Sequence, residues 1–291
     1  MELKMNSFEM IKYHSQQYPN SVPLRTEEIA AHFDIQSVAG NLEWSLHTEY
    51  SYGKRNFDSK LISKYPEIIE AQKDGVPQLW KNESWAAEFA DFIITLVAGR
   101  KTPKVIEIHP PFNDYTDLSG FIASYSVFES KIKERFSETE ILIENRCGSV
   151  YRGGKFLISK IQDVAALCDE IDRNRLSLKI AFDVPQIYTA HNASREAEYI
   201  YLLEKAKTVR QYIGGVHLWG KSLSATGRKV SHCGDLNTYF NDSAVKEVFL
   251  SAFCDCFNDG ITRKMVLEVN SGNEDLISIV SDLQGSGVSF T

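Results

Sequence analysis

The sequence predicts an α/β fold, a (β/α)8 TIM barrel carried by one domain over residues 1–291. Three observations predict it. From about Pro103 onward, short β-rich apolar runs alternate with longer segments of helical period, the pattern of repeated βα units on a parallel sheet. Several of these runs carry one ionisable residue at or near their C-terminal end, where a buried parallel strand is otherwise nearly all apolar. In a barrel that end is the active-site face. Finally, 291 residues suit one barrel, and no Gly/Ser-rich, Pro-rich or low-complexity stretch divides the chain.

Between residues 104 and 270 the elements are legible in order. Lys104–His109 (KVIEIH) reads as a strand, Leu118–Phe136 as a helix, Glu140–Asn145 (EILIEN) as a strand and Leu157–Ile171 as an amphipathic helix. The pattern repeats with strand Leu178–Asp183 (LKIAFD), helix Arg195–Val209, strand Ile213–Trp219 (IGGVHLW) and helix Ser243–Phe257. Lys264–Asn270 (KMVLEVN) is the last clear strand, with a short helix near Glu274–Leu283. The first hundred residues diverge from this pattern. There Met10–His14 and Glu43–His47 are expected as the first two strands, and Thr26–His32 and Ser84–Val97 as helices.

Composition narrows the function classes. With 43% hydrophobic and 24% charged residues the chain can bury a substantial core without staples. The five cysteines (Cys147, Cys168, Cys233, Cys254, Cys256) are scattered and form no CxxC pair, which argues against a disulfide framework or a zinc ribbon. No apolar run reaches about 18 residues, and the N-terminus is not basic then apolar, so the expectation is a cytoplasmic protein with no membrane partner. A net charge of −7 argues against a broad phosphate-neutralising face and leaves a local basic patch open.

The chemistry lies at the strand ends. Glu144 follows Ile141-Leu142-Ile143, Asp183 follows Ile180-Ala181-Phe182, His217 follows Gly215-Val216, and Glu268 follows Met265-Val266-Leu267. Successive gaps are 39, 34 and 51 residues. The first two suit one βα unit of about 30 or more residues. The third suits two units, with a poorly marked strand near Val230–Cys233. Singly, a strand-end carboxylate is a helix cap or an ion-pair partner; the repeat makes a set. Three carboxylates in one mouth repel severely unless a cation joins them, and three oxygens with one imidazole suit zinc, manganese or a related divalent metal. His109 (EIHPPF) extends the pattern as a candidate ligand of a second metal, His47 (SLHTEY) as a less secure one, and His232 (KVSHCGD) as a ligand or a substrate contact.

These residues resemble the xylose-isomerase-like barrel superfamily and, within it, the endonuclease IV class of apurinic/apyrimidinic endonucleases (AP endonuclease family 2). The resemblance covers about Lys104–Asn270. It is carried by HPP at His109–Pro111 beside the family's HPG, IENRCG at Ile143–Gly148 beside LENTAG, and FD at Phe182–Asp183. HLWGKS at His217–Ser222 is similar to HLNDSK, GRKVSH at Gly227–His232 to SRKDRH, and LEVN at Leu267–Asn270 to the closing LET. The resemblance implies that Glu144, Asp183, His217 and Glu268, as the strand-four, strand-five, strand-six and final ligands, share one metal. Glu144 would bridge toward a second metal on His109 and His47. The family's third site would fall on Gln186, Val230 and His232, of which only His232 is a metal-ligating type, so one or two ions (Zn2+ or Mn2+) are expected.

The leading functional expectation is a divergent endonuclease IV-like hydrolase, in which metal-activated water attacks a phosphoester of nucleic acid or a related substrate. One alternative is a single-metal sugar or sugar-phosphate isomerase or epimerase with Glu144 and Glu268 as its acid/base pair. Another is a non-catalytic ligand-binding barrel. Cations beside the ligands suit a phosphate-bearing or sugar substrate, DNA included: Lys221, Arg228 and Lys229 near His217 and His232, and Arg146, Arg152 and Lys155 after Glu144. Gln186 and Trp219 complete the expected substrate contacts, with Tyr188 a further aromatic able to stack on a sugar or base.

Overall fold

The computed structural model describes residues 6–13, 15–50, 60–72, 76–224 and 226–291. In chain order the elements are β1 (Asn6–Lys12), β2 (Thr26–Ala31), β3 (Glu43–Thr48), α1 (Pro66–Glu70), α2 (Glu83–Val97), β4 (Val105–Ile108), α3 (Leu118–Arg135) and β5 (Glu140–Glu144). Then come the short pair β6 (Val150–Tyr151) and β7 (Gly154–Lys155), α4 (Ile161–Asn174), β8 (Lys179–Asp183), α5 (Val184–Ala190), α6 (Glu196–Val209) and β9 (Ile213–Leu218). The chain continues through β10 (Lys221–Leu223), β11 (Lys229–Ser231), α7 (Leu236–Phe240), α8 (Ser243–Phe257), β12 (Arg263–Leu267), α9 (Asn273–Gly285) and β13 (Val288–Phe290). The strand order β1-β2-β3-β4-β5-β8-β9-β12, with β12 pairing back onto β1, closes an eight-stranded parallel barrel.

The chain groups into two compact units, Thr26–Ala181 and Met1–Arg25 with Phe182–Thr291. In the first, β2 to β5 pair in parallel register and β5 continues onto β8, Glu144 standing opposite Ala181. Its core is aromatic. Trp80, Trp85, Phe89, Phe121 and Phe128 are fully buried and interlock with ring centroids 5.0–5.5 Å apart, Trp80 edge-on to the other four, Trp85–Phe89 tilted and Phe89–Phe128 stacked, contacts that add to the burial itself. Helix α2 begins where the Asn82 side chain accepts the Trp85 amide, and α3 where Asp117 accepts that of Gly120. Trp80 sits at φ 61°, a strained conformation for a bulky residue, and its indole donates to the His109 carbonyl at 2.7 Å.

In the second unit β9 pairs with β12, β12 with β1, and β1 with β13. Phe8, Phe249, Phe253 and Phe257 form its apolar centre. Beneath β12 lies a buried cation, Arg263, only 1% exposed. It donates to the Arg210 and Ile213 carbonyls and to both carboxylate oxygens of Asp259, and lies over the Phe257 ring.

Three sequence expectations change. Within the expected helix Thr26–His32, residues Thr26–Ala31 form a strand: its end residues Thr26 and Ala31 are buried, and pairing with β3 overrides the helix-forming Glu and Ala content. The segment near Val230–Cys233 is no barrel strand, because Lys229–Ser231 pairs antiparallel with Lys221–Leu223 in a hairpin, so the 51-residue gap is one long βα unit. With Thr26–Ala31 as the second strand, those from Glu43–Thr48 to Ile213–Leu218 stand one place later than expected, putting Glu144 on strand five, Asp183 on six and His217 on seven, while the strand before Glu268 keeps its place as the eighth. The first strand runs Asn6–Lys12; His14, expected at its end, lies outside the described residues. The remaining boundaries shift little, except that the helix expected from Leu157 starts at Ile161, where Asp163 accepts the Ser159 and Lys160 amides.

Removing Arg263 takes the guanidinium donors from Asp259 and from three carbonyls, those of Arg210, Ile213 and Ile261. Arg263→Met is therefore expected to lower unfolding free energy by about 3 kcal/mol or more, read from the midpoint of a urea titration monitored by circular dichroism.

Candidate metal centre

Strand pleat places the chemistry. Along β4 and just past it Val105, Glu107 and His109 share one face, as Ser45 and His47 do on β3. A ligand atom from each of His47, Glu107 and His109 lies within 4.8 Å of the others. The Glu107 carboxylate is 3.6 Å from His47 Nδ1, and Glu28 of β2 is 3.5 Å from the same nitrogen. The His47 and His109 rings stand 4.7 Å apart. His109 Nδ1 is 3.1 Å from the Glu49 carbonyl, which can only accept, so this nitrogen carries the proton. That leaves the Nε2 lone pair of neutral His109 facing Glu144 Oε2 at 2.9 Å. Two electron-rich atoms at that distance require a proton or a cation between them. The fit to a metal is thus built into the tautomer.

Glu144 also receives Arg146 at 2.6 Å, while the guanidinium lies over the Phe156 and Tyr50 rings. Arg146 therefore holds a ligand carboxylate, whatever contact it makes with substrate.

Past β8, Asp183 ends its strand and caps α5 without an intervening loop. Its Oδ1 accepts the Gln186 amide at 2.8 Å, and its Oδ2 accepts Gln186 Nε2 at 3.0 Å and Trp219 Nε1 at 2.9 Å. Gln186 and Trp219, expected as substrate contacts, are thus both bonded to Asp183, a candidate ligand. His217 Nδ1 lies 3.4 Å from Glu268 Oε1, and His232 Nδ1 3.2 Å from Glu268 Oε2. The His232 ring stacks on Trp219 at 4.2 Å from a left-handed backbone at φ 59°. Together Glu144, Asp183, His217 and Glu268 form a second buried group with ligand atoms within 4.8 Å of one another. His232 adjoins this group through Glu268. Lys221 and Arg228 lie on the β10–β11 hairpin, Arg228 exposed. Tyr188 is buried among Tyr199 and Phe249 and has no stacking face to offer. A ligand-bearing cluster of His, Glu and Asp that could hold a metal ion is therefore present.

Sequence reading missed Glu107, Glu28 and Glu49. Glu107 stands mid-strand rather than at a strand end, though its two-residue spacing from His109 is the signal that finds it. Glu28 was hidden by the helical reading of β2. His32, which carried no context in the sequence, reaches to 3.9 Å from buried Glu49.

The electrostatics follow from this crowding. Burial alone would lower the His47 pKa, but Glu28, then Glu107 and Glu144, override it and raise it from 6.5 to about 9. Burial drives His109 down to about 4, with His47 and Arg146 adding to it and Glu144 opposing. Burial would raise Glu268, yet His217 and His232 hold it well below the usual carboxylate range.

No known family pattern matches the chain, and no curated protein matches it. Among solved structures it is similar to family 1 b-glucosidase from Thermotoga maritima, at 9% identity and TM-score 0.41 over 84% of this chain and 73% of that one. The beta-glucosidase from Thermotoga maritima in complex with noeuromycin is similar at 8% identity and TM-score 0.40, over 84% and 74%. At such values the likeness says nothing of what this chain binds. Among the described residues no helix is long and apolar enough to cross a membrane.

In the metal-free protein, histidine NMR should place the His47 titration near 9 and that of His109 near 4. Because its folded pKa is raised, His47 contributes stability that is fully present below about pH 6.5 and lost as pH rises through about 9. A midpoint for His47 at or below 6.5 would contradict the charge balance described.

Proposed function

We propose that this chain is a metal-dependent phosphoesterase, a divergent relative of the endonuclease IV class within the xylose-isomerase-like barrels, acting on a phosphoester of nucleic acid or a related substrate. The observation that carries the reading is the position of Glu144. It belongs to the Glu144–Asp183–His217–Glu268 group, and its Oε2 also meets His109 Nε2 of the His47–Glu107–His109 group at 2.9 Å. A carboxylate shared in this way suits a pair of ions, and both groups offer the mixed nitrogen and oxygen donors of Zn2+ or Mn2+.

A divalent ion held by these residues would act as a Lewis acid on the phosphoryl oxygen and make water more acidic. The chain's own residues do the rest. Arg146 orients Glu144 and keeps a cation at the edge of the site. Asp183 is fixed by three donors on its two oxygens. Glu268 stays ionised and is the candidate to take a proton from the attacking water, while its Oε2 orients His232 toward the same space.

One observation favours a second reading, a single-metal sugar or sugar-phosphate isomerase or epimerase with Glu144 and Glu268 moving the protons. Where the endonuclease class has a third-site ligand, Gln186 spends its side chain on Asp183, and the four-residue group is a sufficient ligand set alone.

Incubation with duplex DNA bearing an abasic site should give incision that needs Zn2+ or Mn2+, stops with chelator and falls by about 100-fold or more in Glu268→Gln. Metal at about 100 times its Kd should add about 2.7 kcal/mol of stability. Absence of incision across both metals, together with exchange of a ketose α-proton into deuterated solvent, would overturn the hydrolase in favour of the isomerase.

A further inference from the structure

Beyond the metal ligands, the long βα unit between β9 and β12 carries a cavity of about 220 Å³, walled by the β10–β11 hairpin and α7. Its lining is Lys221, Ser222, Leu223, Lys229, Thr238, Tyr239 and Asn241: two ammonium groups, three hydroxyls and an amide, with no carboxylate among the described lining residues. In a chain of net charge −7, a cavity with two cations and no acid is a departure that asks for an anion.

Lys221 is held in place for this task. Its Nζ donates to Thr189 Oγ1 at 2.9 Å and lies 5.4 Å from the Trp219 ring centroid and 5.0 Å from that of Tyr239. A cation set between two aromatic faces has lost much of the side-chain freedom that binding would otherwise remove. The neck of the hairpin is equally fixed. A Cβ on Gly220 would stand 2.3 Å from the Gly234 carbonyl oxygen, so only glycine lets the two strands of the neck approach this closely. Trp219, one residue before that neck, is bonded to Asp183 and stacked on His232. The cavity is therefore anchored through one indole to two residues of the proposed metal site.

We infer that this cavity is a phosphate subsite, in which Lys221 and Lys229 bind the phosphoryl group of the substrate while the Ser222 hydroxyl supplies a further donor. Ammonium and hydroxyl donors on a small anion are strong, charge-assisted contacts, and a cavity of about 220 Å³ has room for one phosphoryl group. The inference rests on the reading of the site as one for a phosphate-bearing substrate, and names the part of the protein that recognises it.

The test uses the full chain stripped of metal by chelator, so that phosphate cannot report on a bound ion. Calorimetric titration with inorganic phosphate should show binding to the wild type. Lys221→Gln with Lys229→Gln should weaken it about tenfold or more. Lys221→Arg, which keeps the charge, should retain it within a few-fold, and Lys229→Gln, an exposed position, guards against misfolding of the double variant. Zinc content of each variant, measured separately after metal is restored, keeps failure of the metal centre distinct from failure of this cavity. Competition for the cavity by ribose 5-phosphate would assign it to a phosphate monoester, and competition by an abasic oligonucleotide alone would assign it to a phosphodiester. No phosphate binding by the stripped wild type, equal binding by the folded double variant, or no competition by either compound would overturn the proposal.

Discussion

Buried negative charge governs this barrel. Glu49, Glu107, Glu144, Asp183 and Glu268 are all at or below 5% exposure, and carboxylates taken so far from water cannot stay ionised together without compensation. Each has found some. Glu49 accepts the Phe33 amide, Glu144 holds Arg146, Asp183 takes three donors, and Glu268 lies between two imidazoles. His47 answers Glu28 and Glu107 by keeping its proton. The approach of Glu144 to the lone pair of His109 is the one that a cation bound by both would relieve.

The supports of these ligands are as specific as the ligands. Trp80, at a strained backbone position, ties the carbonyl of His109, and Thr48 ties that of Glu107 at 2.7 Å. Trp219 performs the same service for Asp183. Such outer contacts fix orientation and basicity. They also explain why large aromatics of the core sit directly against polar groups: their N–H groups are the donors that a purely aliphatic core would lack.

The sequence carried the architecture best where strands were long apolar runs ending in one ionisable residue, as in ILIE, IAFD and MVLE. It failed at β2, whose Thr-Glu-Glu-Ile-Ala-Ala reads locally as a capped helix start, and whose strand state comes from pairing with β3. The same error displaces the count of the strands that follow, and the 51-residue gap suggests a strand near residues 230–233, where Lys229–Ser231 instead closes a hairpin with Lys221–Leu223. At the site, the strand-end residues were legible because a charge at the end of an apolar run is conspicuous. The bonds of Gln186 and Trp219 to Asp183 were not, since a hydrogen bond between side chains leaves no pattern in one dimension. Glu28 and Glu107 stayed hidden because their significance is a matter of neighbours on adjacent strands.

The close crossing of Gly220 and Gly234 bears on how such a protein can change over time. Because the hairpin is pinched at its base, alterations at its tip, around Leu223 to Lys229, need not propagate to Trp219 or to the residues bonded to it. The segment behaves as an exchangeable cassette on a fixed socket. Variation at that tip leaves Lys221, Trp219 and His232 in place, and grafting loops of other lengths between β10 and β11 is a route to altered selectivity.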